Sequence, residues 1–440
     1  MTDVHVEGPA LGRFVAERLG VGWTVRTDPY GLGLDALAGL ALRRNPKRAQ
    51  LIVSTVLAKH IAAPPAAVRA AGLLLAGLVQ RALGGTGPEL SGELLTDPAR
   101  SRDVARLAVG SMPGAPVVIG FCETATALGH TVADAFTDSW YIHTTRRPHP
   151  ALPTLLGFDE EHSHAVAHHL QAPAGVLDHD RPVVLVDDEI STGTTALNTI
   201  AELHALRPRE CYVVATLLDL RSDGARVAFD ARARQLGVRV EVAALLDGTL
   251  VLPDDLLGRA AVLQRELEAA TPDATGWSAS VPAAQADWPV GTPAGGRHGF
   301  SAADREAFTD AVSAVASRLR LGDGPVLVVG TEELMYAPVR LAHALSLAGS
   351  DVLVQSTTRS PVLPLDDPGY PIRRRLAFPS PDDPGRASFL YNVVPPAWPA
   401  DSRYCDIVVV VEDRVADCAA LLAAVRPWAT DAVHLVVLPS

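Results

Sequence analysis

One segment of the sequence places acidic residues before a loop of small and hydroxyl-bearing residues. Asp187 and Asp188 follow the apolar run 183–186, and Glu189 comes next. The loop then contains Ser191, Thr192, Gly193, Thr194 and Thr195. Amides at the start of a helix attract an anion, so this loop (the phosphate cradle) could hold a monophosphate. The carboxylates suit a cis-diol or a divalent cation, and a diol beside a monophosphate is ribose 5-phosphate. The alternative is a buried strand followed by a polar, capped turn.

Two further segments could hold a second anion. The first, after the apolar run 117–120, contains Phe121, Cys122, Glu123 and Thr124. Its amides and hydroxyls can receive an anion at the start of the next helix. Arg146 and Arg147 follow the β-rich run 140–144, and guanidinium groups bind phosphate oxygens in a bidentate way. The alternatives are a plain strand-to-helix turn and a pair of solvated arginines.

The remaining candidates are histidines and single charged residues. Both lysines of the chain belong to a basic unit around the strand-like run 51–57, in which Lys59 could help form a hood over an anionic acceptor. Asp219 ends another β-rich run and could face a base or a second metal. Residues 147–180 are weakly periodic, and they form either a solvated histidine-rich loop or a metal site. In the metal site, His164 and His168 would share a helix face.

The candidate residues follow predicted strands. Short apolar runs alternate with helical runs, which indicates a parallel sheet covered by helices on both faces. Ligands of such sheets bind outside the carboxyl ends of the strands, so the candidates should meet at one edge. The predicted strands are 117–120, 140–144, 183–186, 211–220 and 238–246, with helices over 124–136 and from about Thr195.

Residues 183–195 resemble the phosphoribosyl diphosphate (PRPP) motif of the type I phosphoribosyltransferases. The resemblance implies that family's α/β fold, a parallel sheet with helices on both faces. It also implies Mg²⁺-dependent transfer of ribose 5-phosphate from PRPP to a nitrogenous, base-like acceptor, with release of pyrophosphate. Glu189 departs from the motif, which prefers an apolar residue there. Ser191 stands where some purine-using members have an aspartate base, so no base is assigned.

The same resemblance implies roles for the candidate residues. Asp187 and Asp188 would hold the ribose hydroxyls and Mg²⁺ and would stabilise oxocarbenium character at C1′. The phosphate cradle would anchor the 5′-phosphate, and Arg146 or Arg147 would offset the charge of the leaving pyrophosphate.

Two further segments acquire roles from this resemblance. The loop 120–126 (the pyrophosphate loop) would bind the leaving group, beside which Glu123 is unexpected unless it binds a metal or the acceptor. Glu160 and His162 belong to a segment where the family has a mobile catalytic lid, which would exclude water. Members of the family are commonly dimers, so a homodimer is expected.

The C-terminal region repeats features of the first half. Segment 357–361 aligns with 144–148, and segment 408–420 aligns with 183–195 but lacks the hydroxyls of the phosphate cradle. We therefore predict that residues 301–440 are a second, smaller α/β domain and a degenerate copy of the first. This requires the strands before Gly330 and at Glu412 to be neighbours in one parallel sheet. The alternative is coincidence among similar strand ends. Candidate site residues of this domain are Glu332, Glu333, Tyr336, Thr358, Arg359, Ser360 and Glu412.

The whole chain also resembles a bacterial family in which a phosphoribosyltransferase domain is fused to a C-terminal domain named for its Thr-Arg-Ser-Pro (TRSP) motif. That motif is found here at 358–361. The other matches are NPKR at 45–48, VSTVLAKH at 53–60, GFCETAT at 120–126, EEHSHA at 160–165 and GTEELMY at 330–336. The resemblance implies tellurite-resistance and stress-response gene clusters as context, and a nucleoside-like metabolite as product.

Composition sets the outer bounds. With 440 residues and a net charge of −12, the chain is long enough for several domains and is not basic, which argues against a nucleic-acid binder. No CxxC pair occurs among its cysteines, and it has neither an apolar leader nor a membrane-spanning run, so we expect a cytoplasmic protein. The expected domains are 1–265 and 301–440, joined by a Pro- and Gly-rich linker at 266–300.

Two function classes other than an enzyme stay open at this point. The first domain could be a non-catalytic PRPP sensor or regulator. Alternatively, the chain could be a scaffold in which the second domain has no ligand.

Overall fold

The computed structural model describes residues 11–43, 49–101, 104, 107–110, 115–159, 167–173, 175–270, 283–415 and 417–440. The strands of the first half are β1 (Gly22–Thr27), β2 (Ala38–Leu42), β3 (Gln50–Ser54), β4 (Val117–Gly120), β5 (Trp140–His143), β6 (Thr154–Asp159), β7 (Ala167–Gln171), β8 (Val183–Ile190), β9 (Cys211–Asp219) and β10 (Arg239–Val251). Its helices are α1 (Arg13–Leu19), α2 (Pro65–Ala82), α3 (Glu93–Thr96), α4 (Pro98–Ser101), α5 (Thr126–Asp134), α6 (Thr194–Leu206), α7 (Asp223–Leu236) and α8 (Leu256–Ala270).

The first sheet has the order β1-β10-β9-β8-β4-β5, parallel throughout except for β1 at one edge. The apolar run of β8 explains how its two faces are covered. Val184 and Val186 pack in the cluster that contains residues of α2 and α5, whereas Val183 and Leu185 pack in the cluster that contains residues of α6 and α7. This confirms the predicted α/β sheet with helices on both faces.

Strand β8 continues beyond the predicted end at residue 186. Asp187 pairs with Thr216 of β9, and Ile190 pairs with Asp219. The longer neighbouring strand β9 provides backbone partners for these polar residues, so the acid pair lies on the strand end itself.

The second sheet has the order β11-β17-β16-β12-β13, and all its pairings are parallel. Its half of the chain contains β11 (Ala284–Asp287), β12 (Val326–Gly330), β13 (Val352–Ser356), β14 (Arg375–Pro379), β15 (Ala387–Tyr391), β16 (Tyr404–Glu412), β17 (Ala429–Leu438), α9 (Ala302–Arg318), α10 (Tyr336–Leu347) and α11 (Ala419–Val425). Short 3-10 helices cover Leu34–Ala36 and Arg426–Trp428.

The second half repeats the topology of the first. The order β9-β8-β4-β5 corresponds to β17-β16-β12-β13, and β12 and β16 are parallel neighbours, as the predicted duplication requires. Each half also has an antiparallel hairpin within this core, β6–β7 between β5 and β8 in the first and β14–β15 between β13 and β16 in the second. Each hairpin bridges back to a threonine, Thr145 to His169 and Thr358 to Phe389.

Part of the predicted linker is regular structure. Helix α8 continues to Ala270, and β11 adds an edge strand to the second sheet by pairing with β17. The exposed edge of β17 provides backbone partners that composition alone does not reveal. In the described part of the chain, we find no helix that is both long and apolar enough to cross a membrane.

The interface between the halves contains buried, neutral histidines. The ring of His130 stacks on that of Tyr336, with centroids 3.3 Å apart. Burial, opposed in part by Asp134, lowers the pKa of His130 to about 4. Burial and the charge of Arg297 lower the pKa of His143 to about 4.

We therefore expect the free energy of unfolding to fall as the pH is lowered from about 6.5 to 4. In this window the unfolded chain, whose histidines have a pKa of about 6.5, binds protons that the folded chain excludes. Each histidine should contribute a slope of up to about 1.4 kcal/mol per pH unit. Urea titrations at several pH values measure the slope, and His130→Gln and His143→Gln should each reduce it. Equal stability at pH 7.5 and 5 would contradict the assignment.

Candidate active site

A cavity of about 390 Å³ lies at the carboxyl ends of β4 and β8. It gathers most of the side chains that the sequence predicted for the first domain. The predicted residues that line it are Lys59, Phe121, Cys122, Glu123, Thr124, Arg146, Asp187, Asp188, Glu189, Ser191, Thr192, Gly193, Thr194 and Thr195. The predicted hood also contributes, through Leu51, Ile52, Ser54, Leu57 and His60.

The phosphate cradle lies at the start of α6. Gly193 precedes the first helical residue, Thr194, with φ of +80°. The hydroxyl of Thr192 accepts a hydrogen bond from Thr194 N at 3.2 Å and lies 3.0 Å from Thr194 Oγ1. Amides and hydroxyls are thus concentrated at the positive end of a thirteen-residue helix, which is an arrangement suited to a phosphate.

Gly193→Ala should weaken phosphate binding about tenfold and destabilise the fold by about 1–3 kcal/mol. A Cβ at this position would lie 2.4 Å from Phe229 Cδ2, and the backbone conformation is one that favours glycine. Binding of ribose 5-phosphate, followed by calorimetry, measures the first effect. The matched control is Gly224→Ala on α7, where a Cβ would meet nothing within 4 Å. Wild-type affinity in the Gly193 variant would argue against the cradle.

The acid pair lies beside the cradle. Asp187 and Asp188 are half-buried, and Asp187 Oδ1 accepts the Asp188 amide at 2.9 Å. Together with the hydroxyls of the cradle, they form a set of oxygen donors, which is the chemistry that Mg²⁺ or a diol requires. These residues therefore fit the predicted metal and ribose sites.

The pyrophosphate loop is held by a cation and by the second half of the chain. Lys59 Nζ donates to Thr124 Oγ1 at 2.6 Å and lies 3.4 Å from Glu123 Oε2. Glu123 also accepts a hydrogen bond from Thr358 Oγ1 at 3.1 Å and lies 3.3 Å from Arg359 Nε. The unexpected carboxylate thus has two cationic partners, which removes the objection to an anion at this loop.

The two neighbouring arginines have different environments. Arg146 lines the cavity, and its Nε donates to His168 Nε2 at 3.3 Å. Arg147 does not line it. Arg147 Nη2 lies 2.9 Å from Glu332 Oε2, and Nη1 lies 3.6 Å from Glu412 Oε2. The prediction that Arg147 binds a substrate is therefore corrected, because carboxylates of the second half surround its guanidinium.

Asp219 also lies outside the cavity. Its carboxylate accepts hydrogen bonds from Arg221 at 2.8–2.9 Å and from Arg226 at 2.7 Å, and only 2% of the residue is exposed. Two nearby arginines on the following turn and helix therefore occupy this carboxylate, which corrects its predicted role in substrate binding.

The predicted lid residues Glu160 and His162 lie outside the described residues. His168 belongs to strand β7, so the predicted helical face shared by His164 and His168 is wrong. The His168 ring faces the cavity, with Nδ1 3.5 Å from Cys122 Sγ and 3.4 Å from Thr144 Oγ1. Strand β7 is identified by its antiparallel pairing with β6, and the sequence contains no clear signal for that pairing.

The predicted second-domain residues have three different surroundings. Arg359 and Ser360 line the cavity of the first half, together with Pro361. Tyr336 donates to Asp134 at 2.6 Å in the interface. Glu332, Glu333 and Glu412 belong to an interdomain ion network, and Thr358 donates a hydrogen bond to Glu123, another member of it. The network also includes residues that the sequence did not indicate. The network consists of Arg147, Arg297, Arg359, Arg386, Glu123, Glu332, Glu333, Asp382 and Glu412.

The charges of this network compensate one another. Burial alone would raise the pKa of Glu332, but three guanidinium groups outweigh it and lower the pKa below its usual value. The pKa of Glu333 is likewise lowered against burial, with Arg297 as the strongest opposing charge. Both carboxylates are therefore ionised at neutral pH. Glu123 is also buried, and it accepts a hydrogen bond from Thr358.

Known proteins provide an independent comparison. Residues 37–249 match the family model PRTase_2, described as phosphoribosyl transferase, and residues 294–425 match the TRSP domain, described as C-terminal to PRTase_2. A search of curated proteins finds no match.

Solved structures of adenine phosphoribosyltransferases are similar to part of the chain. The enzyme from Trypanosoma brucei, in complex with AMP, pyrophosphate and ribose-5-phosphate, is 18% identical with a TM-score of 0.23, over 31% of this chain and 57% of that chain. The enzyme from Leishmania tarentolae is 19% identical with a TM-score of 0.22, over 34% and 65%. The match thus spans just over half the length of the first of these relatives. The chain thus has a phosphoribosyl transferase domain over residues 37–249, followed by a TRSP domain over residues 294–425.

Proposed function

We propose that the cavity binds Mg-PRPP and that the first domain transfers ribose 5-phosphate to a nitrogenous, base-like acceptor with release of pyrophosphate. The observation that supports this most strongly is the meeting of an acid pair, a phosphate cradle and a cation-flanked loop in one cavity. Each of these matches one part of PRPP: the ribose hydroxyls, the 5′-phosphate and the pyrophosphate.

The reaction breaks the bond from C1′ to the pyrophosphate oxygen and forms a bond from C1′ to a nitrogen of the acceptor. Pyrophosphate leaves with the electron pair, and the acceptor nitrogen loses its proton to solvent. Asp187 and Asp188 hold the ribose hydroxyls and stabilise positive charge at C1′. Mg²⁺, which enters with PRPP, offsets charge on the leaving group. Lys59 and Arg146 add cations at the same end of the cavity.

The hood strands β2 and β3 cover the acceptor. The product is a nucleoside-like metabolite, and we propose a role in stress response and tellurite resistance on the strength of the family resemblance. We also propose, from that resemblance, a cytoplasmic location, a homodimer and a lid formed by the segment of Glu160 and His162.

The test uses the purified full chain with Mg-PRPP and a deproteinised lysate of the source organism. Pyrophosphate release and new phosphoribosyl products are followed by mass spectrometry. A product that depends on the lysate would establish transfer and give the acceptor by its mass. PRPP binding without any product would favour the sensor instead, and no PRPP binding would contradict the proposal.

A further inference from the structure

The two halves of the chain exchange matching contacts at their strand ends. Thr358 Oγ1 donates to Glu123 Oε2 at 3.1 Å, and Thr145 Oγ1 donates to Glu333 Oε2 at 2.7 Å. Both glutamates stand three residues after the glycine that ends β4 or β12, and both threonines stand two residues after β5 or β13. In each half, the threonine after β5 or β13 therefore contacts the glutamate in the loop after β12 or β4 of the other half.

In one direction, this exchange places an arginine among the carboxylates of the second half. Arg147 enters the second half and contacts Glu332 and Glu412 at 2.9 and 3.6 Å, as well as Asp382. Its side chain is only 10% exposed, and Glu332 is fully buried. Segment 417–420 also lacks the hydroxyls of the phosphate cradle, so the second half has an arginine at its acidic strand ends and no counterpart of the cradle.

In the other direction, the exchange leaves the cavity open. The counterpart of Arg147 is the small Ser360, which lines the cavity of the first half with Arg359. Arg359 Nε donates to Glu332 Oε2 at 2.9 Å and lies 3.3 Å from Glu123 Oε1. These carboxylates engage Nε, and Nη2 lies 4.0 Å from Glu333 Oε1, beyond hydrogen-bond distance, so both Nη groups keep donors for an oxyanion.

Charge indicates which part of the substrate Arg359 meets. Lys59 Nζ lies 3.4 Å from Glu123 Oε2, so Lys59 and Arg359 flank the two oxygens of one carboxylate in the pyrophosphate loop. Lys59 and Arg359 therefore place two cations at the pyrophosphate loop, and Arg359 is shared with Glu332 of the second half. The phosphate cradle, by contrast, is built from hydroxyls and amides on α6.

We propose that the chain has a single phosphoribosyl site built from both halves, in which Arg359 of the TRSP motif binds the pyrophosphate group of PRPP. Ser360 and Pro361 form the adjoining wall. This inference rests on the proposed function. It assigns the second domain a part in the site of the first, rather than a ligand or reaction of its own.

The test compares two ligands on variants of the full chain by calorimetry. Arg359→Gln should weaken binding of Mg-PRPP about 10- to 100-fold, as expected for a lost hydrogen bond to a charged group, and should leave ribose 5-phosphate within about twofold. Arg359→Lys should restore part of the affinity. The matched control is Arg386→Gln, because Arg386 also donates to Glu332, at 2.8 and 3.0 Å, yet does not line the cavity. Its Mg-PRPP affinity should stay within about twofold of wild type.

The outcomes separate the two proposals. A wild-type chain that binds no Mg-PRPP would overturn the proposed function. A wild-type chain that binds it, with Arg359→Gln of equal affinity, would overturn only the shared site. Equal losses for both ligands would overturn the assignment of Arg359 to pyrophosphate.

Discussion

Replacing Asp187 and Asp188 together by asparagine should reduce phosphoribosyl transfer about 10²- to 10⁴-fold. Each carboxylate loses a charge-assisted hydrogen bond to the ribose, worth about 1.5–3 kcal/mol, and each 1.4 kcal/mol is a factor of about ten in rate. The loss should appear mainly in kcat, because the carboxylates act most strongly when positive charge develops at C1′. Pyrophosphate release at saturating Mg-PRPP measures it.

The double variant should remain folded. Asparagine has the same shape as aspartate, and its Oδ1 can still accept the Asp188 amide that Asp187 accepts at 2.9 Å. The matched control is Asp180→Asn, because the Asp180 side chain is 84% exposed and pairs only on the surface with Arg207. A double variant with wild-type kcat would remove the acid pair from the mechanism, and an unchanged melting curve would exclude misfolding as the cause of a loss.

The second large effect concerns stability. Arg147→Met should lower the free energy of unfolding at pH 7 by about 3–5 kcal/mol, because it removes a cation that Glu332, Asp382 and Glu412 share in a largely buried network. Glu332 is fully buried and Glu412 is 5% exposed, so solvent cannot replace the guanidinium. Urea titration measures the difference. Arg207→Met is the matched control, since its exposed pair with Asp180 should contribute at most about 1 kcal/mol.

The pH dependence of this effect has a defined sign. In the wild type, arginines lower the pKa of Glu332 and Glu412 against the effect of burial. Their stabilisation is therefore complete above the unfolded pKa of about 4.3 and is lost as the pH falls through the folded pKa. The difference between Arg147→Met and wild type should therefore shrink as the pH falls below about 4.3. A constant difference, or one below 1 kcal/mol at pH 7, would contradict the network.

Local patterns predicted the fold of the first half well. The apolar run before Asp187 is a strand because its side chains pack on both faces of the sheet, and the loop after it is a cradle because a helix begins at Thr194. The repeated topology can also be predicted from the sequence, because similar residues follow the strands of both halves in the same order. These features depend on residues that are close in sequence.

Contacts between distant residues were not readable in this way. The sequence does not distinguish Arg146 from Arg147, because the carboxylates that surround Arg147 lie 185 to 265 residues away along the chain. The composition of 266–300 predicts a linker at β11, because this strand is stabilised by its pairing with β17. The weak periodicity of residues 147–180 predicts a loop or a helix at His168, where the structure has a strand paired with β6. For Arg147 and β11, the deciding partner belongs to another part of the chain.

The reciprocal threonine–glutamate contacts also have a consequence for assembly. Two separate copies of one domain would meet through such contacts only above their dissociation constant, and the site would be lost on dilution. Here the two copies are segments of one polypeptide, so their association is intramolecular and does not depend on protein concentration. Covalent linkage also lets the copies diverge independently, because a substitution in one is not repeated in the other. An identical pair could not have an arginine at the position of Arg147 in one copy and a serine in the other.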